Sequence, residues 1–509
     1  MFTPVQRLTQ CALFGLIVAC SSVASDQEER WRHEPPAQEK PRNVIFILSD
    51  DHRYDYMSFM ENQVPWLKTP NLDRLAEEGA HLKNAFVTTS LCSPSRASIL
   101  TGLYTHTHTV VDNNAPEPEG LTYFPQYLQE TGYETAFIGK WHMGDQGDQP
   151  RPGFDKWVSF EGQGVYYNPT LNVDGEHVIY EDSSYTPTLL TDYAMEWMNE
   201  RDQEKPFFLY LSHKSVHSGF DPAKEDQAIY HGKPVTHPVS YYITDPDSVG
   251  TNPEVNYDDI PRWVKEQRYS WHGVDYAYHG QYSMDTIVWR YTEALHSMDR
   301  EIGRVLTYLE QNELAESTLI IYMGDNGFCF GEHGLIDKRQ MYEASLRVPM
   351  LARCPELIEP GTVIEEMVQN VDIGPTVMAV AGLKTPDQMH GRSFLPLLRG
   401  QKVANWRDRV FYEYYWEYDF PQTPTMHGVR TDRYKYVRYH GLWDVNEFYD
   451  LQEDPHELNN LIAVPEYQDT IRQLASEVYD WLEESDGMQI PLKRTVKYPF
   501  GDYRHPNAY

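Results

Sequence analysis

The sequence predicts an α/β protein built on a large, mostly parallel β-sheet that is flanked by helices. Four short apolar runs support this prediction, because continuous apolar runs are typical of strands buried on both faces of a parallel sheet. Amphipathic helical patterns between the runs would supply the covering layers. The four runs occupy residues 43–48, 134–138, 206–211 and 318–323.

The first 41 of the 509 residues are predicted to lie outside this folded body. Arg7 precedes an apolar run that is too short to span a bilayer, so residues 1–19 are predicted to form a signal peptide. The run ends at Cys20 in a pattern that resembles the lipobox of bacterial lipoproteins, where the cysteine becomes the lipidated first residue. Polar residues 20–41 would then form a tether. We expect an exported, periplasmic protein that is lipid-anchored at Cys20; the alternative is cleavage near Ala24 and secretion.

Residues 42–399 are predicted to form one large domain. Helical patterns cover residues 69–79, 186–201 and 287–311, and the first of them has proline near its first turn and ends at glycine. Residues 219–284 are rich in tyrosine, histidine and aspartate, and predict a long irregular insertion whose length favours a functional role.

The character of the chain changes near residue 400, so residues 400–509 are predicted to form a smaller α+β subdomain with a tail. Aromatic-rich segments predict antiparallel strands at 410–418, 426–430 and 434–438. A helical pattern follows over 465–484.

The net charge of −33 argues against a surface that binds nucleic acid or anionic membranes. Any site for an anion must therefore be built locally, from basic residues, helix N-termini or a bound cation. Five cysteines show no metal-binding or disulfide spacing, and Cys329 and Cys354 are interpreted as buried free thiols rather than as a pair.

Ionisable residues follow each of the four predicted central strands. Because sites in open α/β sheets form beyond the carboxyl ends of the strands, these clusters are predicted to converge on one crevice. The clusters are Asp50 with Asp51, Lys140 with His142, His213 with His217, and Asp325 with Asn326.

The oxygen-bearing residues of these clusters suit a hard cation such as Ca²⁺ or Mg²⁺. They are Asp50, Asp51, Asp325 and Asn326. Taken alone, such carboxylates are more often solvated residues at strand ends.

Cys92 is predicted to lie just before a helix, because Pro94 suits the first helical turn. Free N–H groups at a helix N-terminus favour an anion, and Arg96 could add a charged fork for sulfate or phosphate. The residues themselves leave three interpretations open: an anion site, a cysteine nucleophile and a plain buried cysteine.

A family resemblance decides between these interpretations. Residues 92–96, Cys-Ser-Pro-Ser-Arg, followed by Leu-Thr-Gly at 100–102, resemble the signature of the type I sulfatases. Further stretches resemble other motifs of that family, and the resemblance covers about residues 42–460. These stretches are 43–51, 139–144, 324–327 and Lys338 with 342–349.

The resemblance implies an alkaline-phosphatase-like sulfatase fold, with residues 42–399 as the catalytic domain. It also implies that a maturation enzyme oxidises Cys92 to formylglycine (3-oxoalanine), whose hydrate attacks sulfur. One Ca²⁺ ion is then expected to be held by Asp50, Asp51, residue 92, Asp325 and Asn326.

The resemblance further implies roles for the basic residues. Arg96, Lys140 and Lys338 would hold the sulfate oxygens, and His142 would act as the base that collapses the covalent intermediate. His217 would protonate the leaving oxygen, with His213 as the competitor for that role.

The expected substrate is a sulfated carbohydrate, such as ulvan or a glycosaminoglycan. One alternative is a phosphonate or phosphodiester hydrolase of the same superfamily. A second is a non-catalytic, glycan-binding surface lipoprotein, against which the complete set of motif residues argues. Weaker candidates for the pocket are His106, His108, His272 and His333, for which ordinary packing is an equal or better explanation.

Overall fold

The structure is a computed structural model that describes residues 42–62, 64–143, 147–248, 257–441 and 444–491. The predicted signal peptide, the tether and Cys20 lie outside these residues. None of the helices in these ranges is both long enough and apolar enough to cross a bilayer.

The described residues form eighteen strands. In chain order they are β1 (Asn43–Ser49), β2 (Ala80–Leu82), β3 (Ala85–Phe86), β4 (Glu134–Gly139), β5 (Lys156–Ser159), β6 (Thr170–Val173), β7 (Glu176–Ile179), β8 (Phe207–Ser212), β9 (Thr318–Gly324), β10 (Cys329–Phe330), β11 (Ile336–Asp337), β12 (Met350–Arg353), β13 (Thr362–Ile364), β14 (Val368–Gln369), β15 (Arg409–Tyr414), β16 (Thr425–Thr431), β17 (Tyr434–His440) and β18 (Glu447–Asp450).

Eleven α-helices accompany these strands in the described part of the chain. They are α1 (Pro70–Glu77), α2 (Cys92–Thr101), α3 (Thr105–His108), α4 (Phe124–Glu130), α5 (Thr186–Glu200), α6 (Arg262–Gln267), α7 (Met284–Gln311), α8 (Glu343–Leu346), α9 (Ile373–Val380), α10 (Leu395–Leu398) and α11 (Gln468–Glu484). The three long helices predicted before residue 400 are confirmed as α1, α5 and α7. Helix α7 begins three residues earlier than predicted because Ser283 caps it, its hydroxyl accepting a hydrogen bond from the Thr286 N–H at 3.3 Å.

Ten strands form the main sheet, in the order β13-β2-β12-β9-β1-β8-β4-β5-β6-β7. The four strands predicted from apolar runs are its adjacent, parallel centre, β9-β1-β8-β4. Strands β12, β6 and β7 run antiparallel to their neighbours, so the sheet is mixed. The central strands end in register: Ser49 lies opposite Gly324, and Gly139 lies opposite Ser212.

Both faces of the central strands are buried, which explains why their apolar runs are continuous rather than alternating. Along β1, Ile45 and Ile47 enter one core, whereas Val44, Phe46 and Leu48 enter the core on the opposite face. Helices α1, α5 and α7 contribute to the first core, and α2, α4 and α9 contribute to the second.

The predicted irregular insertion over 219–284 is confirmed in its described residues, where short 3₁₀ turns and the single helix α6 interrupt loops. The predicted C-terminal antiparallel strands are also confirmed, as part of the sheet β15-β16-β17-β18 with α11 packed on it. Strand β15 ends at Tyr414 rather than at residue 418, because the chain turns outward and leaves Trp416 45% exposed. Val410 and Tyr412 share a core with Phe86 and Leu91, so this sheet is built onto the main body. The domain boundary near residue 400 stays a prediction.

Candidate active site

The residues that follow the central strands meet at one edge of the sheet, as predicted. Backbone hydrogen bonds continue beyond the strands and fix their relative positions. The Asp325 N–H donates to the Ser49 carbonyl at 2.9 Å, and the His213 N–H donates to the Leu48 carbonyl at 2.8 Å. The Asp51 N–H reaches a carboxylate oxygen of Asp325 at 2.9 Å.

Three fully buried carboxylates form the centre of this site. One oxygen each from Asp50, Asp51 and Asp325 lies within 4.8 Å of the others. Asn326 joins them, since its amide nitrogen donates to Asp51 Oδ1 at 2.8 Å. The buried Oδ1 atom of Asn326 has no hydrogen-bond partner among the described residues. A cluster of hard oxygen donors with one unsatisfied carbonyl fits a Ca²⁺ or Mg²⁺ ion.

Each carboxylate also has its own cationic partner. The Lys140 ammonium pairs with Asp50. Lys338 Nζ lies 2.7 and 2.6 Å from the two oxygens of Asp51. The third carboxylate, Asp325, accepts a hydrogen bond from Arg96 Nε at 2.9 Å. Three negative and three positive side chains are therefore buried together.

The neighbouring charges give these carboxyl groups different pKa values. Burial opposes ionisation of Asp50, but Lys140, His217 and Arg96 outweigh it and hold the pKa of Asp50 well below its usual value. Burial and the neighbouring Asp50 raise the pKa of Asp325 to about 7. A carboxyl group with a pKa near neutrality can both accept and release a proton.

Cys92 is the first residue of helix α2, so the helix starts slightly earlier than predicted. Leu91 precedes the helix in an extended conformation, and its carbonyl accepts a hydrogen bond from the Ser95 N–H at 3.0 Å. The Cys92 sulfur lies 3.4 Å from Asp50 Oδ1 and 3.9 Å from Asp51 Oδ1. Burial raises the pKa of the Cys92 thiol well above its usual value. That shift disfavours an unmodified thiolate nucleophile, which needs a lowered pKa.

His217 rather than His213 lies beside Cys92. A ring nitrogen of His217, the Cys92 sulfur and an oxygen of Asp50 all lie within 4.8 Å of one another. His213 is completely buried, and neither of its ring nitrogens has a hydrogen-bond partner among the described residues. The geometry thus favours His217 for contact with a bound ester; the role itself stays a prediction.

His142 enters the site through the loop after β4. Its carbonyl accepts a hydrogen bond from the hydroxyl of Ser93, which is the neighbour of Cys92. Burial, together with Lys140 and Arg96, holds the pKa of the His142 imidazole well below its usual value. The ring is therefore neutral at physiological pH, as a general base requires.

Arg96 is held by protein groups on more than one side. Besides its bond to Asp325, its Nη1 atom donates to the Lys140 carbonyl at 2.6 Å and to the Ser212 hydroxyl at 2.7 Å. Only 1% of its surface is exposed. These contacts join the ends of β4, β8 and β9 through one guanidinium group.

Two site residues, Gln163 and Asp337, were not predicted from the sequence. Gln163 accepts a hydrogen bond from the Lys140 ammonium. Asp337 lies 3.3 Å from Lys338 Nζ and 2.8 Å from a ring nitrogen of His272, which places that weaker candidate behind Lys338. In the sequence, only the flanking glycines at 162 and 164 could have indicated a loop that packs closely against the site at Gln163. In the structure their φ angles are 57° and 63°.

The other weaker histidine candidates have structural partners. His106 bonds to Glu413 at 2.9 Å, and His108 contacts the Ser98 hydroxyl at 3.0 Å. The ring of His333 stacks on Tyr342 with centroids 3.7 Å apart. Cys329 and Cys354 are buried and free, as predicted.

Comparison with known proteins gives the family. A protein-family model described as sulfatase matches residues 42–383. The chain belongs to the sulfatase family. It is therefore a sulfuric ester hydrolase, and the predicted alkaline-phosphatase-like sulfatase fold is confirmed. A second family model, described as the C-terminal region of N-sulphoglucosamine sulphohydrolase, matches residues 331–484.

Individual relatives cover almost the whole sulfatase chain. The N-acetylglucosamine-6-O-sulfatase of Bacteroides thetaiotaomicron is 31% identical over 92% of this chain and 91% of its own. The multifunctional alkaline phosphatase superfamily protein PehA of Trinickia caryophylli is 28% identical over 86% of this chain and 95% of its own. A solved structure of a protein with its substrate, D-glucosamine-2-N,6-O-disulfate, is 29% identical with a TM-score of 0.76. That comparison covers 89% of this chain and 100% of the other.

Proposed function

We propose that this sulfatase removes sulfate groups from glycosaminoglycan-type carbohydrates, and that 6-O-sulfated glucosamine is its preferred sugar. The observation that carries the chemistry is Cys92 at 3.4 Å from Asp50, inside a cluster of three carboxylates and three cations. The sugar preference is supported by the name of the Bacteroides relative and by the disulfated glucosamine in the solved complex.

The proposed metal is calcium, one ion per chain. Asp50, Asp51, Asp325, Asn326 and residue 92 would hold it. When bound, the ion polarises a sulfate oxygen and lowers the pKa of a neighbouring hydroxyl group. The buried, unsatisfied Oδ1 atom of Asn326 supports this assignment, since calcium readily accepts carbonyl oxygen ligands.

The proposed nucleophile is formylglycine made from Cys92 by a maturation enzyme. After addition of water to its aldehyde, the modified residue would supply a hydroxyl group that attacks sulfur while the sugar oxygen leaves. A buried thiol with a raised pKa is a poor nucleophile at neutral pH. We assign Asp325 to accept the proton of that hydroxyl group, because its carboxylate clusters with Asp50 and Asp51, whose oxygens lie beside the Cys92 sulfur.

The remaining residues bind and transfer protons. Lys140 and Lys338 are assigned to the sulfate oxygens, where their charge offsets the negative charge that develops in the transition state. Arg96 is fixed by Asp325, the Lys140 carbonyl and Ser212, and we assign its guanidinium group to the sulfate oxygens as well. We assign His142 as the base and His217 as the group that protonates the leaving oxygen, because His217 lies beside Cys92. Burial and Lys140 lower the pKa of His217, so its acid form depends on the negative charge of the bound ester.

Mass spectrometry tests the nucleophile. The protein is produced together with a formylglycine-generating enzyme, and the peptide that contains residue 92 is analysed. We expect conversion to formylglycine and complete loss of turnover in Cys92→Ala. Cys354→Ala is the matched control, since this free thiol lies outside the site, and it should retain activity. Full activity with an unmodified thiol would refute the proposed nucleophile.

Substrate comparison tests the reaction and the sugar. We expect N-acetylglucosamine 6-sulfate to be hydrolysed faster than sulfated ulvan oligosaccharides; the opposite order would favour ulvan as the substrate. Matched aryl sulfate and aryl phosphodiester substrates address the superfamily alternative, which the similarity to PehA keeps relevant. A faster phosphodiester reaction would overturn the sulfatase proposal.

We also propose export to the periplasm with a lipid anchor at Cys20. The support is the sequence alone: an apolar run of signal-peptide length that ends in a lipobox-like pattern. Metabolic labelling with a radioactive fatty acid should label the wild-type protein but not Cys20→Ala. Release of unlabelled wild-type protein into the medium would instead support secretion.

A further inference from the structure

Lys214 is a buried lysine that the proposed mechanism does not use. It lies in the loop after β8, three residues before His217, and only 3% of its surface is exposed. Its ammonium nitrogen lies 4.7 Å from the centre of the Tyr166 ring. Within the described ranges, no carboxylate oxygen lies within 4.0 Å of this nitrogen.

Tyr166 fixes Lys214 and His217 in one wall of the site. The Tyr166 hydroxyl donates a hydrogen bond to the His217 carbonyl at 2.8 Å, and its ring stacks with Tyr185. A cation over an aromatic ring gains modest electrostatic stabilisation, less than a carboxylate partner would provide. The ring therefore orients the ammonium group without neutralising it.

The charge of Lys214 is available because the other charges of the site are already matched. Asp50, Asp51 and Asp325 each pair with one of the three cations Lys140, Lys338 and Arg96. Lys214 is a fourth cation beside this balanced set. Burial and Lys140 lower the pKa of Lys214 to about 8, so most of the molecules still carry the positive charge at pH 7. Asp50, Asp51 and Asp221 attract Lys214 only from beyond direct contact. A buried charge without a carboxylate in direct contact is costly to the fold, which favours a functional reason for it.

The position of Lys214 indicates which part of a substrate it meets. Asp50 and Asp51 flank the Cys92 sulfur at 3.4 and 3.9 Å. Both carboxylates act electrostatically on Lys214, although neither lies within ion-pair distance of it. It therefore lies outside the ring of groups that surrounds the reacting sulfur. It lies on the side of His217, which is the side proposed for the leaving sugar oxygen. His217 and Lys214 are buried but keep a small exposed fraction, 9% and 3%.

We propose that Lys214 is a specificity-determining residue that binds a second anionic substituent of the sugar, a carboxylate or a further sulfate group near the scissile ester. This inference rests on the proposed function. It predicts that the enzyme prefers doubly anionic carbohydrates to those that carry the scissile sulfate alone.

Steady-state kinetics on three substrates tests this proposal. They are N-acetylglucosamine 6-sulfate, glucosamine 2-N,6-O-disulfate, and a disaccharide of N-acetylglucosamine 6-sulfate with a uronic acid. Lys214→Met keeps an unbranched apolar chain over Tyr166 but removes the charge. We expect kcat/KM to fall at least tenfold on one or both doubly anionic substrates and less than threefold on the singly charged one.

Two further variants separate binding from folding. Lys224→Met is the matched control, because Lys224 is exposed on the surface, and it should leave all three rates unchanged. Lys214→Arg keeps the charge and should retain most of the preference. Circular dichroism and thermal unfolding verify that the variants are folded.

The outcomes distinguish this inference from the proposed function. Equal losses on all three substrates would place Lys214 at the scissile sulfate or in a structural role, and unchanged rates would remove it from the site; both results overturn the inference. A wild-type enzyme that contains formylglycine but hydrolyses none of the three would instead overturn the proposed function, and the inference with it.

Discussion

Replacing Lys338 by methionine should tighten calcium binding while it abolishes efficient turnover. Lys338 Nζ lies 2.6 and 2.7 Å from the two oxygens of Asp51, and both side chains are buried. Asp51 is also one of the proposed calcium ligands. Because an ion at Asp51 must compete with this ammonium group, the lysine weakens calcium binding in the free enzyme.

The structure sets the size of the effect. A hydrogen bond that involves a charged group contributes about 1.5–3 kcal/mol net, and 1.4 kcal/mol is about a tenfold change in a binding constant. Losing the competing contact should therefore tighten calcium binding by about tenfold to a hundredfold. The removal of a nearby positive charge acts in the same direction. Methionine keeps most of the volume of the side chain, so packing changes little.

Isothermal titration calorimetry of chelator-treated protein with CaCl₂ measures this change directly. Lys205→Met serves as the control, because that side chain is 55% exposed and lies outside the site. Activity on N-acetylglucosamine 6-sulfate should fall in Lys338→Met even when calcium is saturating, since the lysine is also assigned to a sulfate oxygen. Unchanged or weaker calcium affinity in a folded Lys338→Met protein would refute the competition argument.

Two further predictions concern a histidine and a buried aspartate. His217→Ala should lower kcat about 10²–10⁴-fold, more on sugar sulfates than on aryl sulfates with better leaving groups, whereas His213→Gln should cost less than tenfold; the reverse order would transfer the acid role to His213. Burial raises the pKa of Asp299 to about 6, although its carboxylate accepts the N–H groups of Asn71 and Leu72 at the start of α1. The folded state therefore binds this proton more tightly than the unfolded state, and the stabilisation that is present at low pH is lost as the pH rises through about 6. In denaturant unfolding, lowering the pH from 7 to 5 should raise the free energy of unfolding of the wild type by about 1.3 kcal/mol more than that of Asp299→Asn. Equal changes in the two proteins would show that Asp299 has an ordinary pKa.

The centre of the sheet could be predicted because its signal is local. Strands β1, β4, β8 and β9 are each a continuous apolar run, and burial on both faces requires such a run. Their adjacency could not be read from the sequence, since pairing depends on contacts between residues far apart in the chain. The two- and three-residue strands, such as β3 and β14, have no pattern long enough to detect.

Some site residues could likewise be predicted from the sequence, whereas others could not. Asp50, Asp51 and Asp325 directly follow or end predicted strands, so topology alone places them at one edge. Gln163 reaches the site from a loop and Asp337 from the two-residue strand β11, through contacts with Lys140 and Lys338 that no spacing rule describes. Single polar residues in loops carry no periodicity, and only the folded chain shows which of them point inward.

An acidic protein can bind an anionic substrate because distant surface charges act only weakly on a bound ligand. Surface charges are screened within about 8–10 Å at physiological salt, so most of the net charge of −33 does not act on a bound sulfate. Inside the site, Lys140 and Lys338 are almost completely buried, and buried charges interact more strongly than exposed ones. Burial opposes the charged form of Lys338, but Asp337 and Asp51 outweigh it and hold the pKa of Lys338 well above its usual value. Asp50 and Asp51, which pair with the two lysines, are also proposed calcium ligands. One set of acidic residues can therefore sustain both the metal and the cations that bind an anionic ester.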